Sequence, residues 1–353
     1  MDSGDYTFKD ILDQYGLGRI EKLDLLSKDR LVESYRVLVK PSFLFRRSGS
    51  FLLKRYSSHD VSQLRLANNF LLELAKRGGV PVAAPLPTKQ DDTVVVAEDS
   101  SYALFRLDRI VFDHASLVSG FSLEKIVNAA RALASFHKQL SILSSHEVFE
   151  AQCFKYDEIA HIFNLPDSIR EHSPLTVVDK FLLDNIPEFW PHFKAYLNDL
   201  KHVRRRSETQ LVHGRFTPRS LLFDEHDVAA LLDAEGMRFD YVEYDLVSAI
   251  PHFVKNDFFE KRFDLDTLKR FLEAYRSVYS DIFLEPREVL VFLRHSRLRV
   301  AALAIKELGF DKRSQEVYGP VRQALADLVA IESQQEALVK AFYDAGVSSK
   351  DYL

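Results

Sequence analysis

The chain has 353 residues, of which 46% are hydrophobic and 28% are charged. This length and composition exclude a disordered chain and are sufficient for two ordinary hydrophobic cores. The formal net charge is −5, and the 47 basic and 52 acidic residues are spread along the sequence, which argues against nucleic acid or a membrane surface as a partner.

The single cysteine, Cys153, leaves no partner for an internal disulfide and suits a reducing compartment. The first residues are acidic and polar, unlike a secretory leader, and no apolar run has the length that a bilayer requires. We therefore expect a cytoplasmic protein.

The first hundred or so residues alternate strand-like runs with turns. Residues 93–97 and 102–107 are rich in β-branched and aromatic side chains and flank a polar turn at residues 98–101, which predicts a hairpin. Before that hairpin, apolar residues recur with helical spacing from Val61 to Leu74. This part of the chain predicts an antiparallel sheet with one helix.

From Ser122 onward the apolar spacing is that of helices, and Ser122 is placed to cap the first turn. The strand-like exceptions are residues 221–223 and 228–232, which are joined by a polar turn. The change of pattern falls near residues 107–118. It predicts a sheet-rich lobe over residues 1–107 and a mostly helical lobe over residues 108–353.

One segment of the helical part carries motifs with chemical meaning. Residues 211–224 read LVHGRFTPRSLLFD, and residues 231–235 read LLDAE. Together they resemble a block of the aminoglycoside phosphotransferases, choline kinases and homoserine-kinase-like enzymes, in which H-G-D-x-x-x-x-N is followed by two short strands and D-x-D or D-x-E. The resemblance rests on His213, Gly214, Pro218, the apolar run of residues 221–223, Asp233 and Glu235.

A second motif follows at residues 239–246, which read FDYVEYDL and resemble the family's G-D-P-x-Y-D-L. In that motif the second aspartate braces the catalytic loop, so the resemblance implies a structural role for Asp245. It implies the same for His213, which shapes the loop backbone in relatives. His137 matches a common family phrase too, but on an apolar helix face we expect a hydrogen-bonded core histidine instead of a base.

The resemblance implies an α+β, bilobal protein-kinase-like fold, with a small antiparallel-sheet lobe and a larger, mostly helical lobe. It also implies ATP and Mg²⁺ as cofactors. In such a site one loop aspartate accepts the proton of the substrate hydroxyl, a loop asparagine holds one metal ion, and a later aspartate holds Mg²⁺ against the nucleotide phosphates. Arg215 and Ser220 occupy the first two positions, and Asp233 occupies the third. Arginine cannot act as the base, because its guanidinium stays protonated.

The upstream motifs agree in order and depart in detail. Residues 51–56 resemble the family's third strand, whose lysine contacts the nucleotide phosphates, which makes Lys54 the candidate nucleotide-binding residue. Residues 26–33, where relatives carry glycine in a loop over the phosphates, contain no glycine. In relatives, the helix after this strand supplies a glutamate that pairs with the lysine. In this chain Leu64 or Arg65 lies near the expected position of that glutamate, and Glu73 lies too close to the end of the helix to replace it.

Two functions remain open at this point. The first is a pseudokinase, a kinase-fold protein that has lost normal phosphoryl transfer and acts by binding a nucleotide, another small ligand or a protein partner. The second is an active ATP-dependent small-molecule phosphotransferase with rearranged residues, in which Arg215 stabilises charge and Asp233 or Glu235 holds Mg²⁺. A third option, a different transfer from ATP such as that of AMP, is weaker. The pattern identifies neither the acceptor nor the oligomeric state.

Overall fold

The computed structural model describes residues 7–28, 32–40, 49–57, 60–107, 122–143, 152–171, 173–204, 209–255, 261–306 and 315–348. Contacts within the chain divide it into two units. The sheet unit comprises Met1–Asp113 and Ser220–Met237, and the helical unit comprises His114–Arg219 and Arg238–Leu353. The predicted boundary between residues 107 and 108 borders on residues 108–121, which lie outside the described residues, so this division stays a prediction.

An antiparallel sheet of five strands forms the centre of the sheet unit, with the strand order β1-β2-β3-β5-β4. The elements of this part of the chain are α1 (Phe8–Gln14), β1 (Ile20–Lys28), β2 (Val32–Val39), β3 (Gly49–Tyr56), α2 (Val61–Arg77), β4 (Val95–Ala97) and β5 (Ser100–Arg106). Side chains of β3 alternate between the two faces of the sheet. Phe51 and Leu53 join a core formed with Ile11 and Leu12 of α1, so Lys54 lies on the opposite face.

A hairpin of β7 (Leu221–Asp224) and β8 (Asp227–Leu231) completes the sheet unit. Backbone hydrogen bonds attach it beside the residues that follow α2. The amide of Leu231 donates to the carbonyl of Pro81 at 2.6 Å, and the amide of Ala83 donates to the carbonyl of Leu231 at 3.0 Å. This attachment fixes the end of β8, two residues before Asp233.

The helical unit is built from ten helices of the described residues and one short pair of strands. Its helices are α3 (Leu123–Leu143), α4 (Asp157–His161), α5 (Leu165–Arg170), α6 (Val177–Asn185), α7 (Trp190–Leu200), α8 (Val242–Phe253), α9 (Leu265–Arg276), α10 (Pro286–Ala304), α11 (Tyr318–Ser333) and α12 (Gln335–Asp344). Strands β6 (Gln210–Val212) and β9 (Arg238–Asp240) pair antiparallel, and the loop of residues 213–220 follows β6. Apolar faces of these helices form the core of the unit.

The predicted α+β fold class, with an antiparallel sheet followed by helices, is confirmed. Helix α3 begins where predicted, and the amide of Lys125 donates to Oγ of Ser122 at 3.3 Å. The predicted hairpin forms as β4 and β5, but Ser100 and Ser101 lie in β5 and not in the turn. None of the described helices is long and apolar enough to cross a membrane.

Candidate active site

Lys54 forms a buried ion-pair cluster with Asp233 and Glu235. Its Nζ donates to Oδ1 of Asp233 and to Oε1 of Glu235, the latter at 3.1 Å. The side chain of Lys54 is 4% exposed, that of Glu235 is 5% exposed, and that of Asp233 is 19% exposed. Three residues of the sheet unit that the sequence assigned to nucleotide and metal binding therefore lie in direct contact.

Electrostatics keep the Lys54 ammonium charged despite its burial. Burial disfavours the charged form and acts to lower the pKa of Lys54, but attraction to Asp233 and Glu235 outweighs it and raises the pKa above its ordinary value. The ammonium also lies 5.8 Å from the ring centroid of Tyr56, which adds a weak cation–π attraction. Lys54 is therefore a permanent cation in this site.

The carboxylate partner of the lysine comes from the turn after β8 and not from α2. On α2, Leu64 is buried in the core, Arg65 pairs with Asp92, and Glu73 pairs with Arg77. The sequence prediction found no partner for Lys54 on this helix and assigned Glu235 to a metal ion. The D-x-E spacing, which puts Glu235 two residues after Asp233, was the signal that both acids lie on one turn.

Asp233 has an unusual backbone conformation at this position. Its φ is 62°, in the left-handed region that side chains with a Cβ rarely adopt. The carbonyl of Asp233 accepts a hydrogen bond from the amide of Gly236 at 3.2 Å, which closes the turn at residues 234–236. This turn directs both carboxylates toward Lys54, and such strained residues concentrate at functional sites.

The donor set of this cluster fits a divalent cation and a nucleotide. One ammonium and two carboxylates carry a net charge of minus one. Mg²⁺ is commonly bound through one or two carboxylates together with substrate phosphates, so Asp233 and Glu235 suffice on the protein side. Within the described ranges, no group of three or more His, Cys, Asp and Glu side chains has the arrangement of a metal site. A cation here would therefore need ligands from its substrate or from water.

In the helical unit, Asp245 of α8 holds the start of the loop that follows β6. Its carboxylate is fully buried and accepts hydrogen bonds from the amides of His213 at 3.0 Å and Gly214 at 2.9 Å. The Nε2 of His137 donates to the same carboxylate at 2.9 Å. Burial acts to raise the pKa of Asp245, but these interactions and nearby positive charge lower it below the ordinary value.

His137 is a core residue of α3. Its ring is fully buried, Nε2 bonds to Asp245, and Nδ1 lies 2.6 Å from the hydroxyl of Tyr275 on α9. An ionised carboxylate only accepts hydrogen bonds, so Nε2 carries the proton, and in the neutral ring Nδ1 accepts from the tyrosine. These contacts agree with the predicted hydrogen-bonded core histidine.

Arg238 supports the same loop and was not predicted from the sequence. Its Nη1 donates to the carbonyl of Gly214 at 2.8 Å, and its Nε donates to Oδ2 of Asp240 at 3.1 Å. Gly214 has a φ of 74°, in the left-handed region, and both its amide and its carbonyl are hydrogen-bonded to charged side chains. The two peptide groups on either side of Gly214 are therefore each held by a charged residue, the first by Asp245 and the second by Arg238.

Arg215 and Ser220 lie at opposite ends of the loop segment. The side chain of Arg215 is exposed, and the next residue, Phe216, is buried with its ring 5.4 Å from that of Phe253. Ser220 is buried, and its carbonyl accepts from the amide of Leu232 at 2.8 Å. Arg215 belongs to the helical unit and Ser220 to the sheet unit.

Comparison with protein families identifies the chain. The model of the phosphotransferase enzyme family matches residues 40–287, which is more than half of the sequence. The chain belongs to the phosphotransferase enzyme family. The resemblance inferred from the motifs is thereby confirmed. A comparison with curated protein sequences found no match.

Solved structures share the fold of this family member at low sequence identity. Spectinomycin phosphotransferase in complex with ADP and spectinomycin has a TM-score of 0.65 and 10% identity, covering 93% of this chain and 97% of that one. An aminoglycoside phosphotransferase from Alicyclobacillus acidocaldarius has a TM-score of 0.61 and 15% identity, with 97% of each chain covered. A microcompartment-associated aminopropanol kinase has a TM-score of 0.60 and 14% identity, with 96% of this chain and 97% of that one covered.

Proposed function

We propose that this phosphotransferase family member has lost ordinary phosphoryl transfer and acts by binding a nucleotide or another small ligand. The observation that carries the proposal is Arg215, an arginine at the loop position where the family's motif has its proton acceptor. The loop residues 213–220 contain no aspartate or glutamate that could replace it. Arg215 therefore supplies a fixed positive charge where the reaction requires a base.

The hydrogen bonds around this loop indicate that its backbone structure is kept and that single residues in it were replaced. Asp245 and Arg238 bond the backbone on either side of Gly214, so the segment before Arg215 is firmly held. Within residues 213–220, only Arg215 and Ser220 differ from the H-G-D-x-x-x-x-N motif. Loss of a positioned base costs roughly 10²- to 10⁴-fold in rate, and Ser220 removes a metal ligand in addition.

The cluster in the sheet unit supports retention of ligand binding. Lys54 offers a buried, permanently charged ammonium, and Asp233 and Glu235 offer two carboxylates on one turn. Bound Mg²⁺ would neutralise nucleotide phosphates and polarise them. Lys54 would orient the phosphates by charge-assisted hydrogen bonds, and Asp233 and Glu235 would hold the cation. Both roles serve binding even when no transfer follows.

The alternative function is an active phosphotransferase with rearranged groups. The complete cluster of Lys54, Asp233 and Glu235 favours it, because phosphoryl transfer depends mostly on positioning and electrostatics. In that case Arg215 would stabilise negative charge, and the reaction would proceed without a loop base at a reduced rate.

Calorimetric titration of ATP, with and without Mg²⁺, tests the proposed binding. We expect Mg²⁺-dependent binding that is lost in Asp233→Ala and retained in Arg215→Asp, with ATP and protein recovered unchanged after the titration. Glu73→Gln, an exposed carboxylate of α2 paired with Arg77, is the matched control and should bind as the wild type does. Phosphoryl transfer or ATP consumption by the wild type would favour the alternative, and absence of binding under both conditions would contradict a nucleotide ligand.

A further inference from the structure

A cavity of about 640 Å³ lies beside α7 in the helical unit. Pockets that bind small molecules commonly have about 300–1,000 Å³, so this cavity has the size of a ligand site. The side chains that line it come from residues 154–156 and 194–203. None of them belongs to the loop of residues 213–220 or to the Lys54 cluster, so the proposed function does not use this cavity.

Contacts of α7 hold the walls of the cavity in place. The hydroxyl of Tyr196, which is fully buried, donates to the carbonyl of Cys153 and thereby attaches the residues before the 154–156 segment to the helix. Asp199 of α7 pairs with Arg294 of α10, which fixes the helix to another part of the unit. The cavity is therefore formed by fixed elements, and a ligand would not have to order them at a cost in binding free energy.

The lining of the cavity is largely apolar and contains two aromatic rings. Phe154 and Val203 are each 8% exposed. Leu197 and Leu200 of α7 are partly buried, and Tyr156 is 41% exposed. Aromatic rings favour offset-stacked or edge-to-face contacts with another ring. This part of the lining therefore favours a ligand with an aromatic ring.

The polar part of the lining is a stripe of Lys194, Asn198 and Lys201. These residues have the spacing i, i+4, i+7, so they lie on one face of α7 and its C-cap. All three side chains are exposed. Among the described residues that line the cavity there is no aspartate or glutamate. The stripe therefore offers hydrogen-bond donors and positive charge beside the apolar lining.

The charge of this stripe is not neutralised by neighbouring side chains. In the described part of the chain, neither Lys194 nor Lys201 forms an ion pair with a carboxylate. Nζ of Lys194 lies 5.0 Å from the ring centroid of Trp190. Asp199, the acidic residue of α7, is paired with Arg294. Both ammonium groups can therefore donate to a ligand, and an anion is the complementary group.

We propose that this cavity binds a small molecule that carries an aromatic ring and an anionic group, such as a carboxylate or a phosphate. The ring packs against Phe154 and Tyr156, and the anionic group accepts charge-assisted hydrogen bonds from Lys194 and Lys201. The two lysines are about 10 Å apart along the helix axis, and their flexible stems reach a group between them, where the amide of Asn198 also donates. This site goes beyond the proposed function and does not depend on nucleotide binding.

Fluorescence titration with 8-anilinonaphthalene-1-sulfonate tests this site, because the probe combines aromatic rings with a sulfonate and reports apolar surroundings. We expect the affinity of the wild type to fall by about fivefold in each of Lys194→Gln and Lys201→Gln, and by about tenfold or more in the double variant. Both lysines are exposed, so the variants should fold. Lys180→Gln removes an exposed lysine of α6 that does not line the cavity, and it should bind the probe as the wild type does.

The uncharged probe N-phenyl-1-naphthylamine, which has the same rings without the sulfonate, separates the contribution of the rings from that of the charge. The wild type and the double lysine variant should bind it with equal affinity. Tyr156→Ser should weaken the binding of both probes by about threefold, because it removes a ring that both contact.

Three results would overturn the inference. The first is that the wild type does not bind the sulfonate, or binds it no more tightly than the double variant does. The second is a loss of affinity in Lys180→Gln as large as that in Lys201→Gln, which would assign the binding to general surface charge. The third is an equal loss of both probes in the double variant, because the lysines would then not act through their charge.

Discussion

Lys54 and Glu235 form an ion pair in which Nζ lies 3.1 Å from Oε1, although the residues are far apart in the sequence. Both side chains are at most 5% exposed. The lysine of β3 therefore takes its carboxylate partners from the turn that also carries Asp233. Lys54, the nucleotide-binding candidate, and the metal-binding candidates Asp233 and Glu235 therefore stabilise each other in the sheet unit. A ligand that binds any of them must either replace these ion pairs or add to them.

Replacing Lys54 by methionine should destabilise the sheet unit by about 3–5 kcal/mol, because it leaves the carboxylates of Asp233 and Glu235 close together without a counter-charge. Urea unfolding followed by circular dichroism measures this change. Lys22→Met is the matched control in the same sheet, since Lys22 is 62% exposed in its pair with Asp24, and its effect should be within about 0.5 kcal/mol.

A triple variant refines that prediction. When Asp233→Asn and Glu235→Gln accompany Lys54→Met, no unpaired charge remains, and the unfolding free energy should recover most of the loss. If the triple variant were as unstable as Lys54→Met alone, the loss would come from packing of the lysine stem and not from uncompensated charge.

Glu332 of α11 should make the stability of the helical unit depend on acid pH. Arg294 donates to both of its carboxylate oxygens, at 2.8 and 2.9 Å, and Nδ1 of His192 lies 3.4 Å away. Burial acts to raise the pKa of Glu332, but these partners outweigh it and lower the pKa from 4.5 to about 2. The folded pKa is therefore below the unfolded one, so the contribution is complete above about pH 4.5 and disappears as the pH falls toward 2.

Comparison of the wild type with Glu332→Gln tests this pH dependence. The wild type should be more stable at neutral pH by on the order of 2–3 kcal/mol, and the difference should shrink steadily between about pH 4.5 and pH 3 in urea unfolding. Glu73→Gln removes a carboxylate from an exposed pair with Arg77 and should show a small difference at every pH. A constant difference between wild type and Glu332→Gln across this range would refute the assignment.

Gly214→Ala should destabilise the loop before Arg215. The φ of 74° at Gly214 lies in the left-handed region, where a residue with a Cβ costs about 1–2 kcal/mol. Gly319 provides the control within the same unit, because it lies in the first turn of α11 and an added Cβ would contact nothing within 4 Å. Gly319→Ala should leave stability unchanged or raise it by about 0.5 kcal/mol. If thermal unfolding showed the same change in stability for both variants, the backbone at Gly214 would be able to adopt another conformation without cost, and the prediction would be wrong.

Local patterns in the sequence predicted much of the fold. The helical spacing after Ser122 and the cap at that residue predicted the start of α3, since both depend on neighbours within one turn. The β4–β5 hairpin was predicted with too long a turn. Ser100 and Ser101 looked like turn residues, but their backbones pair with Ala97 and Val96, and pairing outweighs the weak strand preference of serine.

Long-range contacts of the candidate sites could not be predicted in the same way. The bond from Arg238 to the carbonyl of Gly214 joins β9 to the loop after β6, and no local spacing indicates it. The bond from Tyr196 to the carbonyl of Cys153 likewise depends on how α7 packs near the residues before α4. The family motifs did indicate Asp245, Lys54 and Asp233, because the order of motifs carries information that a single side chain lacks.

The rate of ATP consumption by the wild type tests the central claim most directly, because the claim is that Arg215 has replaced a required base. It should be measured with saturating Mg²⁺ and ATP beside Asp233→Ala and the motif-restoring variant Arg215→Asp/Ser220→Asn. We predict that the wild type turns over no faster than Asp233→Ala and that the restored variant gains activity that requires Asp233. Wild-type turnover that falls in Asp233→Ala by roughly 10²-fold or more would contradict the account and identify an active phosphotransferase.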